Sequence, residues 1–82
     1  MLIIYGSMLC PDCVACREAL DKVGIRYDYR DFADSLVNLK EFLKIRDENP
    51  IFAELKAAGR IGIPCILRQD GSVLLDWEEL IP

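Results

Sequence analysis

Two cysteines separated by two residues, Cys10-Pro11-Asp12-Cys13, are the part of this chain best suited to chemistry. A thiolate attacks a disulfide, and a second thiol close by displaces the mixed disulfide so formed. The chain has no His among its 82 residues, which removes Ser-His and Cys-His pairs and every imidazole ligand. An activated thiol must therefore be tuned by other means. Pro11 fits the first position of a helix, where its missing N–H costs nothing. Cys10 then lies just outside that helix, with its sulfur directed at unpaired backbone amides, and Cys13 lies one turn in. Helix N-termini can lower a cysteine pKa from about 8.5 to roughly 3.5–7.5. On this reading Cys10 attacks and the more shielded Cys13 resolves. Asp12 opposes the first step, because a carboxylate beside the sulfur disfavours its ionised form. A more reducing couple than with a neutral residue at 12 is expected.

Two further cysteines, Cys16 and Cys65, leave alternatives open. Cys16 falls on the apolar stripe Cys16-Leu20-Val23, where a free cysteine acts as a small hydrophobe; a third redox or metal role is the alternative. Cys65 follows a proline at a strand start and is either strand packing or a thiol at the edge of the site. A different class of function joins Cys10, Cys13, Cys16 and Cys65 into a four-thiolate metal or iron–sulfur module without catalysis. If the helix begins at Pro11, Cys10 and Cys16 stand roughly 9 Å apart along its axis, too far for one zinc with ligands at about 2.3 Å. Pro11 and the lack of glycine between the cysteines favour the helix, so no metal ligands are assigned. A third class is an interaction module that keeps a fold without turnover.

Positioning these thiols requires a strand before them and a helix after them. Leu2 to Tyr5 is a short apolar run closed by Gly6-Ser7, as in a strand buried on both faces. Val14, Cys16, Ala19, Leu20 and Val23 recur at helical spacing up to Gly24. Ile25 to Arg30 alternates with period two, so a β-α-β unit with parallel strands is predicted. Asp34 or Ser35 can cap a second helix carrying Leu36, Leu39, Phe42 and Leu43, fading at Asp47-Glu48. Asn49-Pro50 restarts a short helix to Ala58, ended by Gly59. Pro64 to Arg68 reads as a strand, Gln69-Asp70-Gly71-Ser72 as a hairpin turn into Val73-Leu74-Leu75, and Asp76 as the cap of a last helical turn from Trp77 to Ile81. The expectation is an α/β fold, β-α-β-α-(α)-β-β-α, with helices on both faces of a four-stranded mixed sheet.

Composition narrows the partners. Ten Lys and Arg against fourteen Asp and Glu give a net charge of −4, a field that repels phosphate, so nucleic acid is not an expected partner. No stretch approaches the roughly 20 apolar residues of a membrane span. Met1-Leu2-Ile3-Ile4-Tyr5 has neither a basic lead nor a long apolar core, and a cytoplasmic location is the default expectation. In a reducing compartment four cysteines are read as catalytic or metal-binding before they are read as staples. A length of 82 residues fits one domain, 1–82, expected to act as a monomer. Tyr5, Phe32, Phe42, Phe52 and Trp77 are read as core rather than as stacking platforms.

With Cys10-Pro11-Asp12-Cys13 after an initial strand, Cys16 in the helix, Gly62-Ile63-Pro64 before the third strand and Gly71 in the hairpin, the chain resembles a glutaredoxin. Glutaredoxins belong to the thioredoxin-like superfamily, and the likeness is nearest to short bacterial glutaredoxin-related proteins. It covers nearly the whole length. It implies a thiol–disulfide oxidoreductase reducing protein disulfides or glutathione mixed disulfides through Cys10 and Cys13. Pro11, Asp12, Ile63, Pro64 and Glu78 would contact substrate, with a cis peptide before Pro64 and the Ile63 backbone offered to an extended ligand. No bound cofactor is implied; glutathione or a flavoprotein reductase would return electrons. The chain departs from the family where Asp12 replaces a bulky residue, where Ser7 replaces a basic one, and where Leu74-Leu75-Asp76-Trp77-Glu78-Glu79 lacks the usual glycine pair. Arg60 either faces a ligand carboxylate or is a solvated loop residue, and Glu78 or Glu79 either meets a ligand ammonium or is exposed charge.

Overall fold

The computed structural model describes residues 1–82. Its elements are β1 (Leu2–Gly6), α1 (Pro11–Lys22), β2 (Tyr27–Asp31), α2 (Leu36–Glu48), a 3₁₀ turn (Pro50–Phe52) running into α3 (Ala53–Ala57), β3 (Cys65–Leu67), β4 (Val73–Leu74) and a closing 3₁₀ turn (Trp77–Leu80). The sheet order is β2-β1-β3-β4. β1 pairs parallel with β2 and antiparallel with β3, and β3 pairs antiparallel with β4. This is the thioredoxin-like α/β fold.

Alternation along the strands divides the core into two layers. Ile4, Ile66 and Leu74 point to one face and pack with Cys16 and Leu20 of α1, joined by Tyr29, Trp77 and Leu80. Tyr5 and Cys65 point to the other face and pack with Phe42 of α2 and Phe52 of the 3₁₀ turn. Phe42 stacks tilted on Phe32 at 5.2 Å and edge-on to Phe52 at 6.1 Å, so aromatic pairs dominate this second layer.

Three of the helical segments, α2 and the two 3₁₀ turns, start where a side chain satisfies a free amide. The Ser35 hydroxyl accepts from the Val37 N–H at 3.0 Å, the Asn49 carbonyl oxygen from the Ile51 N–H at 3.1 Å, and the Asp76 carboxylate from the Glu78 N–H at 3.1 Å. Between Asp34 and Ser35, the serine takes the cap. Three apolar positions assigned to buried stripes are instead exposed: Val23, Leu36 and Leu43. They fall at the end, start and outer flank of their helices, and no second layer covers them. The short helix after Pro50 opens as a 3₁₀ turn and becomes α only at Ala53.

Candidate redox site

The loop from β1 into α1 is a turn closed twice at Ser7. The Cys10 N–H donates to the Ser7 carbonyl at 3.0 Å, and the Leu9 N–H to the Ser7 hydroxyl at 3.1 Å. Asp31, at the end of β2, anchors the same loop: its buried carboxylate accepts from the Met8 N–H at 3.3 Å and the Ala33 N–H at 2.8 Å. Cys10 follows as the N-cap of α1, with Pro11 at the first helical position. The Cys10 side chain makes no capping hydrogen bond to the helix amides that the sequence leads one to expect it to face. Pro11 offers no N–H, and the Cys10 carbonyl takes the Val14 amide at 3.1 Å.

Cys13 is fully buried beneath Cys10. Burial is the largest influence on its ionisation and holds the thiol neutral well above the usual range. The Ser7 backbone N–H opposes burial, the adjoining Cys10 reinforces it, and the Tyr29 hydroxyl opposes it. Space for these groups exists because residue 6 is glycine. A Cβ there would stand 2.8 Å from both the Cys13 sulfur and the Tyr29 hydroxyl.

In front of Cys10 lies a cleft of about 390 Å³, lined by Cys10, Asp12, Ile63 and Pro64 and walled by the Gly59–Gly62 segment, Leu55 of α3 and Leu75. The Ile63–Pro64 peptide is cis. Gly62 has φ +94°, and a side chain there would also strike the Phe52 ring at 2.8 Å, so both backbone and space require glycine. Arg46 of α2 secures the wall, its Nε and Nη2 donating to the carbonyls of Ile61 and Arg60 at 2.9 and 2.8 Å. On the other flank the Trp77 indole N–H donates to the Asp12 carboxylate at 3.2 Å, holding the closing turn against α1.

The residues singled out in the sequence thus separate. Cys10, Asp12, Ile63, Pro64 and Arg60 meet at the cleft; Cys13 lies beneath Cys10, and Pro11 starts the helix. Glu78 is exposed and does not line the cleft. Cys65 is no site-edge thiol: it packs with Tyr5, Phe42 and Phe52, its pKa pushed up to about 12 by burial. Cys16 is core on the opposite sheet face, pushed up to about 11 by burial and then by the Asp12 charge. With Cys16 and Cys65 on opposite faces, the four-thiolate alternative fails, because the sheet separates the sulfurs that one metal would need together. Sequence reasoning missed Asp31, Arg46, Trp77 and Tyr29. All act across the fold, and only the Tyr27/Tyr29 alternation, which places both on one strand face, hinted at any of them.

A Haemophilus influenzae protein described as uncharacterized is 38% identical to this chain over 78 residues, spanning 95% of this chain and 91% of its own length. This chain belongs to the family of that protein. No protein-family model and no solved structure matches the chain. In this chain the thioredoxin-like fold carries a C-x-x-C pair at the start of its first helix, an arrangement consistent with a redox-active dithiol. No helix is long and apolar enough to cross a membrane.

Proposed function

We propose that this protein is a glutaredoxin-like thiol–disulfide oxidoreductase that reduces disulfides in extended polypeptide segments. Cys10 thiolate attacks one sulfur of the substrate disulfide, the substrate S–S bond breaks, and the first substrate thiolate leaves. Cys13 then gives up its proton, its sulfur bonds to Cys10, and the second substrate thiol departs. The substrate gains two electrons and the enzyme becomes the Cys10–Cys13 disulfide, which glutathione or a dithiol reductase returns to the reduced state.

The observation that carries this reading is the depth difference within one C-x-x-C pair, with Cys10 on the cleft rim and Cys13 sealed behind it. An attacking sulfur must be reachable, whereas a resolving sulfur needs only to reach its neighbour. The preference for polypeptide over glutathione follows from the walls. Leu55, Ile61, Ile63 and Leu75 are apolar, and Leu9 beside Cys10 is 94% exposed. Leu75 lines the cleft, and the segment from Leu74 to Glu79 lacks the glycine pair that lets a tripeptide backbone approach in the glutaredoxins the chain resembles. Ile63 takes part in none of the backbone hydrogen bonds of turns and loops, which leaves it suited to pair with an extended strand.

The test compares kcat/KM for a peptide disulfide with apolar flanking residues against that for a glutathione–cysteamine mixed disulfide, with the same reductant. The peptide is expected to be favoured by roughly tenfold or more, about one well-buried apolar side chain in the cleft. A preference for the glutathione compound would assign the site to glutathione mixed disulfides instead.

A further inference from the structure

Tyr29 sits on β2 directly opposite Ile4 of β1, two residues before the Gly6 and Asp31 pair, and projects to the α1 face. Its hydroxyl is the one buried side-chain oxygen or nitrogen with no partner at strict hydrogen-bond geometry. Buried hydroxyls are normally satisfied. What adjoins this one is the Cys13 sulfur, since both border the space that Gly6 leaves open. The ring is held from outside by Arg17, whose guanidinium lies 4.3 Å from its centroid and donates to the Tyr27 hydroxyl at 3.3 Å and to the Met8 sulfur at 3.3 Å. A cation over the ring makes the phenol a stronger donor.

We propose that the Tyr29 hydroxyl is the donor awaiting the Cys13 sulfur when it ionises, and that Tyr29 thereby sets the rate at which the mixed disulfide is resolved. The inference rests on the dithiol reading above. During resolution Cys13 loses its thiol proton, its sulfur bonds to Cys10, and the departing substrate sulfur takes up a proton. The buried sulfur carries negative charge in passing, and the idle phenol O–H turns to it. Tyr29 keeps its own proton, because burial and then the neighbouring Cys13 charge raise its ionisation far above neutral. It is a positioning residue for Cys13 rather than a base. Around the pair stand Cys10 and the Ser7 amide on the Cys13 side, and Asp31 and Arg17 on the Tyr29 side.

The experiment loads Cys10 with dithiobis(nitrobenzoate), which frees one coloured thionitrobenzoate as the mixed disulfide forms, and follows the release of the second by Cys13 in rapid mixing, from neutral to alkaline pH. Tyr29→Phe is expected to slow release roughly 10- to 100-fold, as loss of a hydrogen bond to a charged group implies, with the profile displaced toward alkaline pH. Loading of Cys10 stays at the wild-type rate, and thermal stability does not fall, because the lost hydroxyl has no partner at rest. Gly6→Ala, whose methyl would displace sulfur or phenol, slows release in the same sense. Release at the wild-type rate in Tyr29→Phe, or equal slowing of loading and release with a lowered melting temperature, overturns the role of Tyr29 while leaving the dithiol reading intact. Failure of the wild type to load at Cys10, or to release through Cys13, overturns both.

Discussion

Cys13 and Cys65 are equally buried, yet their surroundings differ in kind. Cys65 faces aromatic rings, and burial is the only cause that moves its ionisation. Cys13 faces a second thiol, a backbone amide and a phenol, so opposing influences meet at its sulfur. Depth alone makes a thiol inert. Depth with hydrogen-bonding neighbours makes one that stays neutral until a covalent partner is brought to it, as a resolving cysteine must.

The sharpest way to break that contrast is to exchange the roles by mutation. Cys10→Ser is expected to lower disulfide reduction to the uncatalysed rate, and Cys13→Ser to stop the dithiol cycle while leaving adduct formation at Cys10. Cys65→Ala and Cys16→Ala should keep turnover within about twofold, with the cost appearing as roughly 1–2 kcal/mol of stability from lost packing. Turnover assays beside denaturant unfolding of the same four variants separate the two kinds of thiol.

Gly62→Ala tests whether the cleft wall depends on the aromatic layer. Its positive φ and the collision with Phe52 predict a loss of about 1–3 kcal/mol, together with a raised KM. Arg46→Met removes two hydrogen bonds from the same wall and is expected to raise KM about 3- to 10-fold with kcat little changed. Unfolding curves and steady-state kinetics on peptide substrate check both.

Alkaline pH sharpens the comparison further. Cys16 and Cys65 are pushed up to about 11 and about 12 by burial, whereas an unfolded cysteine titrates near about 8.5. Between those values the folded chain keeps protons that the unfolded chain has lost, so rising pH favours unfolding. Stability contributed by these thiols is complete below about pH 8.5 and is lost as pH rises toward 11 to 12, by up to about 1.4 kcal/mol per pH unit for each thiol. The Cys16→Ala and Cys65→Ala double variant should flatten that slope in urea titrations. The smallest expected effect is Trp77→Phe, which deletes the exposed hydrogen bond to Asp12 and should cost no more than about 1 kcal/mol.

Much of this was legible along the chain wherever the signal was local. Pro11 after Cys10, Ser35 before Leu36, Asn49 before Pro50 and Asp76 before Trp77 each mark a helix start by a backbone or capping requirement. The element order followed from those starts. What was hidden was partnership across the fold. Period-two alternation puts Cys65 and Leu67 on one strand face, but only the pairing of β3 with β1 decides that this face meets α2 rather than α1. Trp77 looked like core and does pack there, yet its indole also reaches Asp12, 65 residues away. Leu36 and Leu43 failed as buried positions because helical spacing defines a stripe without saying how wide a neighbour will cover it. The C-x-x-C pair at the start of α1 was readable from type and spacing; the amide, phenol and carboxylate around it were not.

The most direct measurement uses the Cys13→Ser protein, incubated with a peptide disulfide, quenched by acid and mapped by mass spectrometry. The account predicts one mixed disulfide per chain, on Cys10, with Cys16 and Cys65 unmodified. An adduct on Cys16 or Cys65, or none on Cys10 while the wild type turns over the same peptide, would contradict it.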